Sequence, residues 1–186
     1  MAQYKFAELE GVHNPILERL LTENRNGVIV DLGCNKVPEH LQNKAQLVDR
    51  LIGVDNDDEI TEAISQMDRP KNFYFVKGDA RELPLPDKSV DLLLMLGIYS
   101  QVADRNFYID PKFRAPGFDI PAYMRENKRR LLSEAARVVK PTGAVLVSNS
   151  LRKSQIEVTK NEFSEYLNVQ EVNVGGSRYI MVCTPK

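Results

Sequence analysis

The stretch VIVDLGCNKVPEH, residues 28–40, decides the fold of this chain. Apolar β-forming residues run into Asp31 and Gly33, as expected for a buried strand that feeds a tight turn. A nucleotide-binding turn would continue with further glycines, but Asn35 and Val37 stand at the positions where glycines are expected. The pattern predicts a strand followed by a ligand-binding turn of altered composition.

Length and charge exclude several classes of protein. The chain has 186 residues and a formal net charge of -1. This length fits one domain, spanning residues 1–186, that buries a hydrophobic core without disulfides or metals. Since the charge gives no large positive field, nucleic-acid binding is not expected.

Cysteine usage and hydropathy indicate the compartment. Cys34 and Cys183 lie far apart in apolar sequence, which is typical of buried free thiols in a reducing compartment. No apolar run approaches the roughly 18 residues that a membrane span needs. We therefore expect a soluble, cytoplasmic protein with no metal site.

Short apolar segments alternate with helical patterns along most of the chain. The apolar segments are Gly27–Leu32, Leu51–Val54, Phe73–Val76, Val90–Leu96 and Ala144–Asn149. Because several of them lack the alternation of a half-exposed strand, they are typical of strands buried on both faces of a parallel sheet. Helices are predicted over Asp57–Met67 and about Pro121–Val139, the second ending before a turn at Pro141–Gly143. This order predicts βαβ crossovers and a doubly wound α/β sheet.

The C-terminal sequence departs from this alternation. The segments NVQEVNV, residues 168–174, and RYIMVCT, residues 178–184, are separated only by residues 175–177. So short a connection predicts an antiparallel β-hairpin.

Four blocks of the sequence follow one another in a characteristic order. They are VIVDLGC (28–34), LIGVDND (51–57), VKGDARELPLPDKSVDLLLM (76–95) and LLSEAARVVKPTGAVLVSN (131–149). In this order they resemble the class I S-adenosylmethionine-dependent methyltransferases. The resemblance covers residues 27–186 and implies a doubly wound, mostly parallel seven-stranded sheet with a C-terminal antiparallel β-hairpin. It also implies S-adenosyl-L-methionine as the cofactor and methyl transfer as the reaction.

The resemblance implies a set of cofactor-binding residues. They are Asp31, Gly33, Asn35, Asp55, Asn56, Asp79, Ala80 and Leu96. In this set Asp55 would bind the ribose hydroxyls, Asp79 the adenine amino group and the Ala80 backbone N–H the ring. The alternatives are that Asp55–Asp57 only caps the next helix, and that Asp79 only serves a turn.

The altered turn leaves two interpretations open. Asn35 tolerates left-handed backbone geometry, whereas the β-branched Val37 resists it. Either the turn is reshaped, with Pro38 as the first helical residue, or the cofactor pocket is narrowed. Lys36 would reach the carboxylate of the cofactor's methionine end, or else is a solvated lysine.

The acceptor side is less defined. The resemblance places Tyr99 and Ser100 at the first substrate contacts, although an aromatic residue after a buried strand is often part of the core. The Asn-Pro-Pro-Tyr motif of nucleic-acid and glutamine methyltransferases is absent from this position. The aromatic-rich segment 101–120 is predicted to form a lid or acceptor pocket, or a cluster covering the sheet. Neither His13 nor His40 matches a catalytic base, so the catalytic residues are left unassigned.

Three functions compete on this sequence. The first is a methyltransferase acting on a small molecule or an exposed protein group. The second is a non-catalytic relative that keeps the fold as a binding or scaffolding module, which the altered turn favours. The third, an NAD-dependent oxidoreductase using Tyr108 and Lys112, is disfavoured because Pro111 would disrupt the helix that this pair requires.

Overall fold

The fold is built on one seven-stranded sheet with the strand order β3-β2-β1-β4-β5-β7-β6. The structure is a computed structural model that describes residues 15–34, 44–99, 117–150, 153–175 and 178–186. The strands are β1 (Ile29–Leu32), β2 (Leu51–Asp55), β3 (Phe73–Lys77), β4 (Val90–Leu96), β5 (Val139–Ser150), β6 (Leu167–Gly175) and β7 (Arg178–Pro185). Strands β1 to β5 are parallel to one another. Strand β7 is antiparallel to both β5 and β6. The predicted fold class, including the hairpin, is confirmed.

Helices cover both faces of the sheet. They are α1 (Pro15–Glu23), α2 (Asp58–Gln66), α3 (Ile120–Val138) and α4 (Lys153–Ser164). The apolar sides of α1 and α2 pack into one core, and those of α3 and α4 pack into the core on the opposite face. The structure confirms the two predicted helices, α2 and α3, with ends within about one residue of the expected positions. None of the described helices combines the length and apolar character of a membrane span.

The start of β5 differs from the prediction. Residues 140–143, expected to form a turn before the strand, lie inside it as an irregularity between the pairs Val90–Val139 and Leu92–Ala144. Gly143 suits this place because a Cβ there would lie 2.8 Å from the Asp91 backbone oxygen. The chain therefore enters the sheet five residues earlier than its apolar run suggests.

The parallel strands set the position of the candidate site. β1 lies inside the sheet, between β2 and β4. In an open α/β sheet, ligands bind beyond the carboxyl ends of the strands, where the strand order reverses. The order reverses here between β1 and β4, so the residues that end β1, β2 and β4 meet at one edge.

Candidate cofactor site

The turn after β1 is held tightly against β2. Gly33 has a φ of +66°, a left-handed conformation that glycine adopts without strain. Its backbone N–H donates to the Val54 carbonyl over 2.8 Å. A Cβ at Gly33 would lie 3.3 Å from Ile98 Cδ1, on the segment after β4. Glycine thus lets the ends of β1, β2 and β4 approach each other closely.

Asp31, in β1, forms a buried ion pair that the sequence did not predict. Its Oδ2 lies 2.6 Å from Lys44 Nζ, and the exposed fractions of the lysine and aspartate side chains are 4% and 2%. Lys44 follows the undescribed segment 35–43, so nothing in the spacing signals the contact. The pair neutralises the carboxylate that the resemblance assigned to the cofactor.

Asp55 ends β2 as a buried carboxylate. Its Oδ1 accepts a 3.1 Å hydrogen bond from the Asp57 backbone N–H, and its carbonyl accepts one of 3.0 Å from Gly78. The N-cap of α2 is Asp57, whose side chain accepts from Glu59 N–H. The alternative role for the segment Asp55–Asp57 was to cap the next helix. Asp57 performs this capping, so the capping role does not account for the Asp55 carboxylate.

Asp79 follows β3 and is held by Arg81. The Asp79 Oδ1 accepts from Arg81 Nε over 2.9 Å and Oδ2 from Nη2 over 2.5 Å. The Arg81 backbone N–H also donates to Oδ1, over 2.8 Å, which is turn chemistry of the kind considered as the alternative. Burial alone would raise the pKa of Asp79, but the hydrogen bonds and charge of Arg81 outweigh it and hold the pKa below its ordinary value. The carboxylate is therefore ionised and fixed.

Arg81 is in turn tied to helix α3. Its Nη1 donates to Asn127 Oδ1 over 3.0 Å. Two residues further on, the Leu83 backbone N–H donates to Glu134 Oε2 over 2.7 Å, and the Leu83 carbonyl accepts from Arg137 Nη2 over 3.0 Å. The loop that carries Asp79 is thus fastened along the length of α3.

The end of β4 turns sharply. Leu96 is partly buried at the last position of the strand. Gly97 follows with a φ of +80°, and its N–H donates to the Ser148 carbonyl over 2.7 Å. This turn directs Ile98 towards Gly33 and Tyr99 into the core.

Tyr99 lies within a polar cluster between the end of β4 and the helices α3 and α4. Its hydroxyl donates to Glu162 on α4, and its ring centroid lies 4.9 Å from that of Phe163. Lys128 Nζ lies 4.8 Å from the centroid of the Tyr99 ring and 3.3 Å from Glu162 Oε2. Burial, and then the Glu162 carboxylate, raise the pKa of Tyr99 above its ordinary value. With 2% of its surface exposed, Tyr99 joins β4 to both helices of this face; its role as a substrate contact stays a prediction.

Cys34 is buried beside the same carboxylates. Burial raises the pKa of its thiol, and the charges of Asp31 and Asp55 raise it further. A thiol in this state is neutral and a poor nucleophile. The geometry therefore gives no support to covalent chemistry at Cys34.

The structure brings most of the predicted cofactor residues to one edge of the sheet. Asp31, Gly33, Asp55, Asn56, Asp79, Ala80 and Leu96 end the strands β1 to β4 or follow them directly. Asn35 and Ser100 lie outside the described residues, as do Lys36, Val37 and Pro38 of the altered turn, the histidines and most of the segment 101–120. Lys44, Arg81 and Asn127 are the contacts at this edge that sequence reasoning missed.

Comparison with known proteins identifies the domain. The family model of a methyltransferase domain matches residues 30–114, which include all the strand ends of this edge. The chain has the class I methyltransferase fold, and residues 30–114 within it match the methyltransferase domain model. The resemblance inferred from the sequence is thereby confirmed. No curated protein matches the sequence.

Several solved structures share this fold. The PH0226 protein from Pyrococcus horikoshii OT3 is 17% identical, with a TM-score of 0.67, covering 100% of this chain and 92% of that one. A putative methyltransferase in complex with the Haloferax volcanii Trm112 activator is 16% identical, with a TM-score of 0.65 and coverages of 97% and 93%. The N-methyltransferase NodS from Bradyrhizobium japonicum WM9, in complex with S-adenosyl-l-homocysteine, is 15% identical, with a TM-score of 0.67 and coverages of 97% and 88%. At these identities the likeness establishes the fold.

Proposed function

We propose that this chain binds S-adenosylmethionine and transfers its methyl group to a small molecule or an exposed protein group. The observation that carries the proposal is the position of Asp55, a buried carboxylate at the end of β2. It follows Val54, whose carbonyl accepts the Gly33 N–H. Within the described part of the chain, its side-chain contacts occupy Oδ1 only. A carboxylate at this position of an α/β sheet accepts from ribose hydroxyls.

The remaining residues fit the other parts of the cofactor. Asp79 would accept from the adenine amino group, and the Ala80 N–H would meet the ring. Asn56 and Leu96 would line the ribose and methionine ends. A side chain at Gly33 would fill the space between this turn and Ile98. Because glycine leaves that space open, the backbone at Gly33 and Asn35 would approach the methionine part of the cofactor.

The reaction needs alignment more than a special side chain. Methyl transfer from a sulfonium requires a nucleophile directly behind the methyl carbon, so that orientation supplies much of the rate. The acceptor would approach past Tyr99 and Ser100. We assign no catalytic base, and Glu162 and Lys128 stay with Tyr99 as part of the wall on that side.

A second candidate function is a non-catalytic relative that keeps the fold. The specific observation in its favour is the ion pair between Lys44 and Asp31. A carboxylate already neutralised by a lysine attracts the positively charged ammonium of the cofactor's methionine end less strongly. The altered turn at Asn35 and Val37 favours the same interpretation.

Calorimetric titration and a transfer assay separate the two functions. We expect the wild-type chain to bind S-adenosylhomocysteine, and Asp55→Asn to lose at least about tenfold in affinity, or ~1.4 kcal/mol. Asp57→Asn is the matched control, because asparagine caps a helix as well as aspartate does. Transfer of radiolabelled methyl from S-adenosylmethionine to an acceptor would then support the enzyme. Binding without transfer to any tested small molecule or protein would favour the scaffold.

A cytoplasmic location is part of the proposal. Its support is chemical, because Cys34 and Cys183 are free and buried. Free thiols of this kind suit a reducing compartment.

A further inference from the structure

The contact between Arg81 and Asp79 restricts how that carboxylate can be used. Three N–H groups of Arg81 donate to Asp79, one from the backbone and two from the guanidinium. A carboxylate offers about four lone-pair sites, so about one is left for another donor. The planar guanidinium fork also fixes the plane of the carboxylate, which a single point contact would not do.

Arg81 is itself positioned by an unusual residue of α3. Asn127 lies on the buried stripe that continues through Leu131 and Ala135, and it is the polar member of that stripe. Its Oδ1 accepts from Arg81 Nη1, while its Nδ2 is buried without a hydrogen-bond partner among the described residues. A leucine would suit this stripe better, since a buried unpaired donor is destabilising. Asn127, unlike leucine, accepts the hydrogen bond from Arg81.

We infer that Arg81, held by Asn127, fixes Asp79 in the orientation that accepts the 6-amino group of adenine, and so makes the site selective for adenine over a 6-oxo purine. The inference rests on the proposed function. Arg81 and Asn127 are positioning residues, because they act through Asp79. A fixed carboxylate accepts a hydrogen bond from an amino group. The oxygen of a 6-oxo base is also an acceptor, so the two groups would repel each other. Sites built to pair with a donor reject an analogue that lacks it.

The test compares two ligands that differ only at this edge of the base. S-adenosylhomocysteine and S-inosylhomocysteine share the ribose and the amino-acid part, and differ in the 6-amino or 6-oxo substituent and in the adjacent N1, which is an acceptor in adenine and carries a hydrogen in the 6-oxo base. Titration of the full chain with each gives a ratio of affinities. The wild type is expected to prefer the adenosine compound by about tenfold or more, the effect of one good hydrogen bond.

Variants at Arg81 separate orientation from charge. Arg81→Gln is expected to weaken binding of S-adenosylhomocysteine about tenfold while S-inosylhomocysteine changes by less than about threefold, so that the preference shrinks. Arg81→Lys keeps the positive charge without the fork and is expected to lose the preference as well. A lysine variant that keeps the full preference would overturn the inference, because charge alone would then suffice.

Two further variants guard against a purely structural effect. Arg130→Gln is the matched control, since Arg130 also ties α3 to the same loop, with Nη2 lying 3.5 Å from Glu82 Oε2. It should leave the ratio unchanged. Asn127→Leu should reduce the preference without lowering the melting temperature, and it tests the inference even if Arg81→Gln fails to fold.

The outcomes are distinguishable from failure of the proposed function. If the wild type binds neither compound, the proposed function and the inference both fall. Suppose that the wild type binds both compounds. If Arg81→Gln weakens both by the same factor, or if Arg130→Gln lowers the ratio of the two affinities as much as Arg81→Gln does, then Arg81 only holds the loop. The inference alone is then overturned.

Discussion

Lys44 Nζ lies 2.6 Å from Asp31 Oδ2, and both side chains are almost completely buried beneath the turn after β1. Breaking a buried ion pair on one side leaves an uncompensated charge, which typically costs more than removing both partners. We expect Lys44→Met to lose about 3–5 kcal/mol of the free energy of unfolding. Urea unfolding followed by circular dichroism measures this loss.

The double variant Asp31→Leu with Lys44→Met is the control for that prediction. Because it removes both charges, it should recover most of the stability lost by Lys44→Met. A loss in the double variant equal to the sum of the losses in Lys44→Met and Asp31→Leu would show that the two residues act independently of each other.

Tyr99 offers a test of the polar cluster that it forms with Lys128 and Glu162. Tyr99→Phe keeps the ring on Phe163 and removes the hydroxyl that donates to Glu162. We expect a loss of about 1.5–3 kcal/mol in stability, the range for a hydrogen bond to a charged group. S-adenosylhomocysteine affinity should stay within about twofold, an effect of ~0.4 kcal/mol. A large loss of affinity with unchanged stability would contradict the structural role.

Asp91 gives a prediction for the dependence of stability on pH. Its carboxylate accepts from the Val28 N–H over 2.8 Å and from Lys140 Nζ over 2.9 Å and 2.8 Å. Burial alone would raise the pKa of Asp91, but the bonds from Lys140 and Val28 hold it below its ordinary value of 3.8. Since the folded pKa is the lower one, the carboxylate stabilises the fold above pH 3.8, and this stabilisation is lost as the pH falls through the folded pKa.

Asp91→Asn measures that contribution. At pH 7 we expect it to lose about 1–3 kcal/mol, towards the lower end because Lys140 is partly exposed and screened. The difference from the wild type should shrink as urea unfolding is repeated at progressively lower pH below 5. A difference that stays constant down to the acid unfolding transition would contradict this account.

The buried cysteines should be unreactive in the folded chain. Burial raises the pKa of Cys183 to about 12 and also raises that of Cys34. Since the thiolate is the reactive species, we expect native thiols to react with a chromogenic disulfide at pH 8 at least about 100-fold more slowly than in urea. Rapid modification of one thiol in the native protein would show that it is accessible.

The fold was predictable where one physical signal dominates. Strand β4 matches the predicted Val90–Leu96, because an apolar run broken only by Asp91 is typical of a strand buried on both faces. The hairpin followed from a connection too short for any crossover. The early start of β5 was not predictable, because residues 140–143 carry turn residues and yet lie opposite Asp91 as a bulge.

The site residues that lie at the ends of strands could be predicted from the sequence. Asp55 stands directly after an apolar run and Asp79 three residues after one, so their place at the edge could be inferred from position alone. Their partners could not, because Arg81 and Asn127 are separated by 46 residues and meet only when α3 packs on the sheet. Lys44 likewise becomes a partner of Asp31 through packing rather than through any local pattern.

Titration of the wild-type chain with S-adenosylhomocysteine, in parallel with Asp55→Asn and Asp57→Asn, tests the central claim most directly. The account predicts saturable binding by the wild type and by Asp57→Asn, and a loss of at least about tenfold for Asp55→Asn. Absence of binding by the wild type at millimolar ligand, to S-adenosylhomocysteine and S-adenosylmethionine alike, would contradict it.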